Sequence, residues 1–151
     1  MTVSLFVNGN PCTWEVRPDE TLNRSLHAHG YISVKTGCGQ GACGMCTVWL
    51  DEKPVPSCTL LTSRLANRRI TTLEGVQKEA EEFSRYLVAE GADQCGFCAP
   101  GFVMLVLALR RELPDGATEE EIKQYLVGNL CRCTGYLGKT RAVVKYLQSA
   151  R

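Results

Sequence analysis

Thr36-Gly-Cys-Gly-Gln-Gly-Ala-Cys-Gly-Met-Cys46 is the stretch on which the reading of this chain turns. It holds Cys38, Cys43 and Cys46, and Pro56-Ser-Cys58 completes a set spaced C-x4-C-x2-C-x11-C. Thiolates at that spacing form the ligand pattern of a plant-type [2Fe–2S] cluster. Such a cluster is an anionic object inside protein, and backbone N–H groups aimed at its sulfurs are the most direct way to stabilise it. Gly37, Gly39, Gly41 and Gly44 interleave the ligands and let the backbone come close. A structural zinc site with four cysteines is the alternative, but zinc sites usually present two short Cys pairs, and a lone fourth ligand fits them poorly. A Rieske centre would need two histidine ligands. The only histidines, His27 and His29, fall in an expected helix away from any cysteine pair and read as surface or packing residues.

Toward the C-terminus a second set appears as Cys95-Gly-Phe-Cys98 and Cys131-Arg-Cys133, so that eight of the nine cysteines fall into two groups of four. Pro100 follows the first pair, and Phe102-Val-Met-Leu-Val-Leu-Ala-Leu109 runs on as an apolar helix ending in Arg110 and Arg111. Proline at its start and cations at its end orient that helix with its positive dipole end at the Cys pair, where an anionic cluster gains from it. Phe102, Leu105 and Leu109 are expected to pack inside. Thr118-Glu-Glu-Glu121 reads as a capping box opening another helix, with Ile122, Tyr125 and Leu126 at helical spacing, and Lys139 to Gln148 as a last one. The pattern is helix, Cys pair, helix, repeated once. A bundle holding a cluster where its halves meet satisfies it, since neither pair can ligate a whole core alone; a zinc site built from CxxC and CxC is the alternative.

Toward the N-terminus the chain is strand-rich. Val3 to Val7, the Asn8-Gly9 turn and Cys12 to Val16 form a hairpin signal; Asp19 to His29 reads as a helix closed by Gly30; Thr47 to Leu50 and Ile70 to Leu73 read as strands. A small sheet crossed by one helix, the β-grasp arrangement, accommodates them. From Val76 the pattern turns helical, with Ala80, Phe83 and Leu87 in register up to Gly91. The boundary falls near Gly75–Gln77, dividing the chain into residues 1–76 and 77–151, an α+β organisation. Cys12, in the hairpin, reads as a buried small apolar residue.

Composition sets further bounds. A chain of 151 residues can bury about two-thirds of its unfolded surface and make two small domains. Nine cysteines would suggest a disulfide framework in a secreted protein, but Met1-Thr-Val-Ser-Leu-Phe-Val-Asn-Gly9 has no basic region, long apolar stretch or cleavage site. The thiols are expected to be reduced in a cytoplasm and used for metal. No run is long and apolar enough to span a bilayer. The formal charge is +1, and two oxidised clusters at about −2 each would bring the loaded chain near −3. Nothing there points to nucleic acid; Arg68-Arg69 and Arg110-Arg111 are too short for a basic tract and read as a solvated face or subunit contact.

Three strings, Gly37-Cys-Gly-Gln-Gly-Ala-Cys-Gly-Met-Cys-Thr-Val48, Gln94-Cys-Gly-Phe-Cys-Ala-Pro-Gly101 and Gly128-Asn-Leu-Cys-Arg-Cys-Thr-Gly-Tyr136, together resemble the small iron–sulfur subunit of the molybdenum hydroxylases, the xanthine dehydrogenase/aldehyde oxidase family. The likeness covers nearly the whole chain. It implies a plant-ferredoxin-like N-terminal domain and a four-helix C-terminal domain, each with a [2Fe–2S] cluster. It also implies a large molybdopterin-binding subunit, a FAD-binding medium subunit and a dimer of such heterotrimers. After Tyr136 the chain departs from the family pattern: Leu137-Gly-Lys-Thr-Arg141 replaces the usual polar-polar-Ile continuation, which bears on the packing of the last helix and not on the ligands.

The resemblance further implies that the cluster on Cys95, Cys98, Cys131 and Cys133 lies nearer the pterin, and that the one on Cys38, Cys43, Cys46 and Cys58 passes electrons to flavin. Gln94 would contact the pterin edge, its amide both donating and accepting, with a cap of the loop before the helix as the alternative, and Cys133 would lie beside the pterin amino group. Substrate oxidation at molybdenum releases two electrons and each cluster accepts one, so two in series clear both. No residue here reads as a general base or substrate ligand, and turnover would belong to the partner. The rival readings are a stand-alone two-cluster ferredoxin-type carrier, which gives no reason for a second domain of equal size, and a zinc-stabilised interaction module.

Overall fold

The computed structural model describes residues 1–113 and 116–149. Asn8 and Gly9 both take positive φ, 52° and 83°, the geometry that a two-residue hairpin turn needs to match strand twist. That turn sets β1 (Thr2–Val7) antiparallel to β2 (Asn10–Glu15), with Val7 opposite Asn10 and Val3 opposite Trp14. Burial alternates along β1, so Val3, Leu5 and Val7 face inward. α1 (Leu22–Ala28) follows, then β3 (Thr47–Leu50), β4 (Lys53–Pro56) and β5 (Arg69–Thr71). The strands form one mixed sheet in the order β2-β1-β5-β3-β4, in which β1 and β5 run parallel and the other pairs antiparallel.

Several elements differ from their sequence reading. α1 begins at Leu22 and not at Asp19, because Thr21 is extended and bridges to Leu61, with Leu22 donating to the Leu60 carbonyl and Thr62 to the Glu20 carbonyl. β4 forms although it carries Pro54 and Pro56, residues that disfavour a strand. At the sheet edge their missing N–H groups leave no ladder bond unmade. β5 ends at Thr71, where Thr72 turns out of the sheet and exchanges hydrogen bonds with the Asn8 amide. Cys12 is half-buried, not buried, on the edge strand β2.

The second half supplies α2 (Gln77–Ala89), α3 (Ala99–Glu112), α4 (Glu119–Leu126) and α5 (Leu137–Gln148), bringing the described α-helices to five. The capping box forms as read: Glu121 N–H reaches the Thr118 hydroxyl and the Glu121 carboxylate takes the Thr118 N–H. Phe83, Phe102, Leu109, Ile122, Val143 and Tyr146 pack into one core and β1, β3, β5 and α1 enclose another. Leu105 is only partly buried, because its side of α3 faces Gly44 and Pro54 across a crevice and not the helical core. Three of the four arginines in these pairs are held by carboxylates within the chain. Arg68 pairs with Asp51, Arg110 with Glu82, and Arg111 with Glu52 while lying 4.0 Å from the Trp49 ring centre.

The halves meet where β3 and the 36–46 loop press on α3. Trp49, inside the helical core, donates its indole N–H to the Met104 carbonyl at 2.8 Å. A Cβ on Gly101 would stand 2.3 Å from the Gly44 carbonyl oxygen. Gly101→Ala therefore gains about 1 kcal/mol of helix propensity but overpacks two backbones at a cost of about 1–3 kcal/mol. Thermal unfolding should show a lower Tm, by several degrees, than for Gly128→Ala, where an added Cβ meets nothing within 4 Å.

Candidate metal centres

The loop from Thr36 to Cys46 leaves α1 and enters β3 with Gly39, Gly41 and Gly44 at positive φ. Gly37 has no room for a side chain, since a Cβ there would lie 2.8 Å from the Cys43 sulfur. The fourth cysteine is brought in by a short turn after β4: Ser57 donates its N–H (3.1 Å) and its hydroxyl (2.8 Å) to the Cys46 carbonyl, which sets Cys58 beside Cys46. The Cys43 thiol lies by Cys38 and the Cys46 sulfur by Cys58, on which Cys38 also acts. The Gln40 N–H, 3.3 Å from the Cys38 sulfur, leads the Cys43 thiol and further amides in holding the Cys38 thiol down at about 6. Burial, followed by the Cys46 sulfur, pushes Cys58 up to about 11 against the Gly41 N–H.

The second group is assembled by helix ends. Cys98 is the N-cap of α3 and buried, whereas Cys95 is exposed. Cys131 and Cys133 lie in the turn between α4 and α5, folded back by Tyr136, which takes φ +71° and accepts the Cys131 N–H on its hydroxyl at 2.8 Å. Cys131 lies by Cys98 and Cys95 by Cys133, on which Cys131 also acts. Lys139 donates to the Cys98 sulfur at 3.0 Å. Burial pushes the Cys131 thiol up, but the Thr134 hydroxyl, nearby amides and Lys139 outweigh it and hold it at about 7. Burial raises the Cys98 thiol, against Lys139.

Among the described residues no three or more His, Cys, Asp or Glu side chains close on a single ion. A two-iron core takes two thiolates per iron, whereas zinc needs its ligands at a single tetrahedral point. The cradle at Gly37 and the amides turned on Cys38 and Cys58 fit an anionic core. The two loops also touch: Leu130 N–H donates to the Cys43 carbonyl at 3.0 Å, and the Asn129 amide to the Gly44 carbonyl at 3.2 Å.

Gln94 and Cys133 are both exposed, in the loops that carry the second group, and Gln94 makes no side-chain hydrogen bond among the described residues. His29 stacks on Trp14 at 4.2 Å and His27 meets the Val34 carbonyl, both apart from the cysteines. Lys139 and Tyr136 were missed. Lys139 could have been found from its register: it precedes Ala142, Val143 and Tyr146 on the core face of α5.

A family model for a 2Fe-2S iron-sulfur cluster binding domain matches residues 5–83, and one for a [2Fe-2S] binding domain matches residues 72–144. The chain is thus an iron–sulfur protein, with both halves of the [2Fe–2S]-binding kind. It is 39% identical to the nicotinate dehydrogenase small FeS subunit of Eubacterium barkeri, over 97% of this chain and 94% of that one. With the xanthine dehydrogenase iron-sulfur-binding subunit of Escherichia coli O157:H7 it shares 40% identity, over 90% of this chain and 87% of that one. Its fold superposes on a chain of quinoline 2-oxidoreductase from Pseudomonas putida 86 with a TM-score of 0.91 at 32% identity, covering 100% of this chain and 96% of that one. The chain belongs to the small iron–sulfur subunits of the molybdenum hydroxylase family, electron-transfer components of oxidoreductases.

The two thiols with the largest contrast give a direct check. Thiolate is the nucleophile, so in the iron-free chain Cys38 should alkylate first with iodoacetamide at pH 7, its rate half-maximal at about 6, while Cys58 waits for pH near 11. Peptide mapping after timed alkylation reads the order.

Proposed function

We propose that Cys38, Cys43, Cys46 and Cys58 hold one [2Fe–2S] cluster and Cys95, Cys98, Cys131 and Cys133 a second. The first sits in a β-grasp, ferredoxin-like domain over residues 1–76 and the second in a four-helix domain over residues 77–151. The chain carries electrons one at a time from a molybdopterin centre in a large partner subunit, through the second site and then the first, toward FAD in a medium subunit. The assembly is a dimer of heterotrimers in the cytoplasm, where the thiols stay reduced. No helix among the described residues is long and apolar enough to cross a membrane.

The observation that carries this reading is the 3.0 Å bond from Leu130 N–H to the Cys43 carbonyl. Leu130 precedes Cys131, so one hydrogen bond links a ligand of each site through backbone alone. When bound, each cluster supplies one-electron redox chemistry. The chain's own residues fix the spacing and stabilise the negative charge: Gln40 and Gly41 with amides at the first site, Lys139 and the N-terminus of α3 at the second.

A stand-alone carrier is less well supported. Phe97, Val127, Leu130, Tyr136 and Leu137 are all exposed around the second group, and an apolar face of that kind is one that a partner covers. Gln94 and Cys133 are exposed in the loops of the same group, where the molybdopterin would meet them.

Cys43→Ser tests the assignment. The N-terminal EPR signal should vanish with the second intact and iron falling from about four to about two per chain, and electrons should reach molybdenum but not flavin. Loss of both signals from a folded variant would contradict separate ligation. Gln94→Ala should slow molybdenum-to-cluster transfer or weaken pterin retention at unchanged iron content, measured by rapid-freeze EPR and molybdenum analysis. Unaltered turnover and molybdenum occupancy would remove Gln94 from the contact.

A further inference from the structure

Lys139 stands where the register of α5 asks for an apolar side chain. It shares the core-facing side of that helix with Ala142, Val143 and Tyr146, and only 3% of its surface is exposed. Its ammonium lies 4.3 Å from the Phe102 ring centre and donates to the Cys98 sulfur at 3.0 Å. None of the ion pairs among the described residues includes it. A buried ammonium with no counter-charge is among the costliest groups a fold can carry. What faces this one is sulfur: Cys98 in contact, with Cys131 beside it.

The geometry points to Lys139 as a fixed positive charge that raises the reduction potential of the centre on Cys95, Cys98, Cys131 and Cys133. The inference rests on the ligand reading proposed above. With four thiolates such a centre carries about −2 when oxidised and about −3 when reduced. The step adds one electron, delivered by the partner's molybdenum centre or by dithionite in a titration, and needs no proton. A cation held against a ligand sulfur stabilises the more negative state further, and an N–H···S bond draws charge off the thiolate in the same sense. The N-terminus of α3, capped by Cys98, adds to it. Among the described residues no such ammonium bonds a sulfur of the first group; there Cys38 and Cys58 face the amides of Gln40, Ala42, Cys43 and Gly41. Lys139 is therefore a tuning residue that acts through Cys98 and distinguishes the two centres.

EPR-monitored redox titration of the holoenzyme tests this with Lys139→Met, Lys139→Ile and Lys139→Arg. In the Met and Ile variants the reduction equilibrium of the second centre should fall about tenfold, a midpoint lower by about 59 mV for a one-electron couple, while the first centre stays put. Lys139→Arg should keep most of the wild-type value. A fully iron-loaded Met variant with both midpoints unchanged overturns the proposal. Where a variant loses its second cluster, the unmutated enzyme decides. With lysine labelled by nitrogen-15 at Nζ, pulsed EPR should detect a coupling to the reduced second centre, and its absence overturns the contact. A wild-type enzyme with a single iron–sulfur signal would instead sink the ligand assignment, and this proposal with it.

Discussion

Everything in this molecule depends on how closely two backbones can approach at Gly44. Its φ is +68°, and a Cβ there would stand 2.4 Å from the Gly128 carbonyl oxygen. On the other side, Gly101 lets the first turn of α3 lean on the Gly44 carbonyl. With a side chain at either place, the loop that bears Cys43 and Cys46 could not meet the turn that bears Cys131. The glycines thus serve the tertiary contact as much as the thiolates they separate. The Leu130–Cys43 and Asn129–Gly44 hydrogen bonds then lock the approach, and Trp49 extends it into the helical core.

Charge is the second constraint, and the two sites meet it with different means. Around Cys38 the donors are backbone amides of a loop too tightly wound to use them in a ladder. Around Cys98 they are a helix terminus and a lysine ammonium. Amide dipoles are local and neutral overall, whereas an ammonium brings a whole charge that burial leaves poorly screened. A protein that hands electrons from one site to the other can use that difference, since potential follows charge, sulfur hydrogen bonding and exposure.

Burial is also divided with a purpose. Cys43, Cys46 and Cys98 are buried, while Cys95 and Cys133 lie at the surface beside the exposed Phe97, Leu130, Tyr136 and Leu137. The exposed and the buried cysteines thus meet at a border between the surface and the interior of the chain. Tyr136 sits on that border, in a left-handed conformation that a bulky residue adopts only when its surroundings hold it there. The bond from Cys131 N–H to its hydroxyl is one such constraint.

By itself the sequence determined the two sets of four cysteines, the hairpin at Asn8-Gly9, the helical second half and the capping box at Thr118, because each is a local pattern of spacing, turn residues or period. It also carried the family likeness, through three motifs near the cysteines. Only the tertiary structure decided the rest. Asp19 to Thr21 read as helix until residues 60–62 took hydrogen bonds of that stretch, and Lys53–Pro56 became a strand only through an edge position where its prolines are harmless. Arg111 read as solvated until Glu52 and Trp49 stood beside it, and Leu105 as core until its side of α3 faced the other half. The neighbours of each sulfur and the burial of Lys139 against Cys98 belong to the same class. Each depends on what a residue meets from a distant part of the chain, and a pattern along one segment records the face that a side chain turns, not the group waiting there.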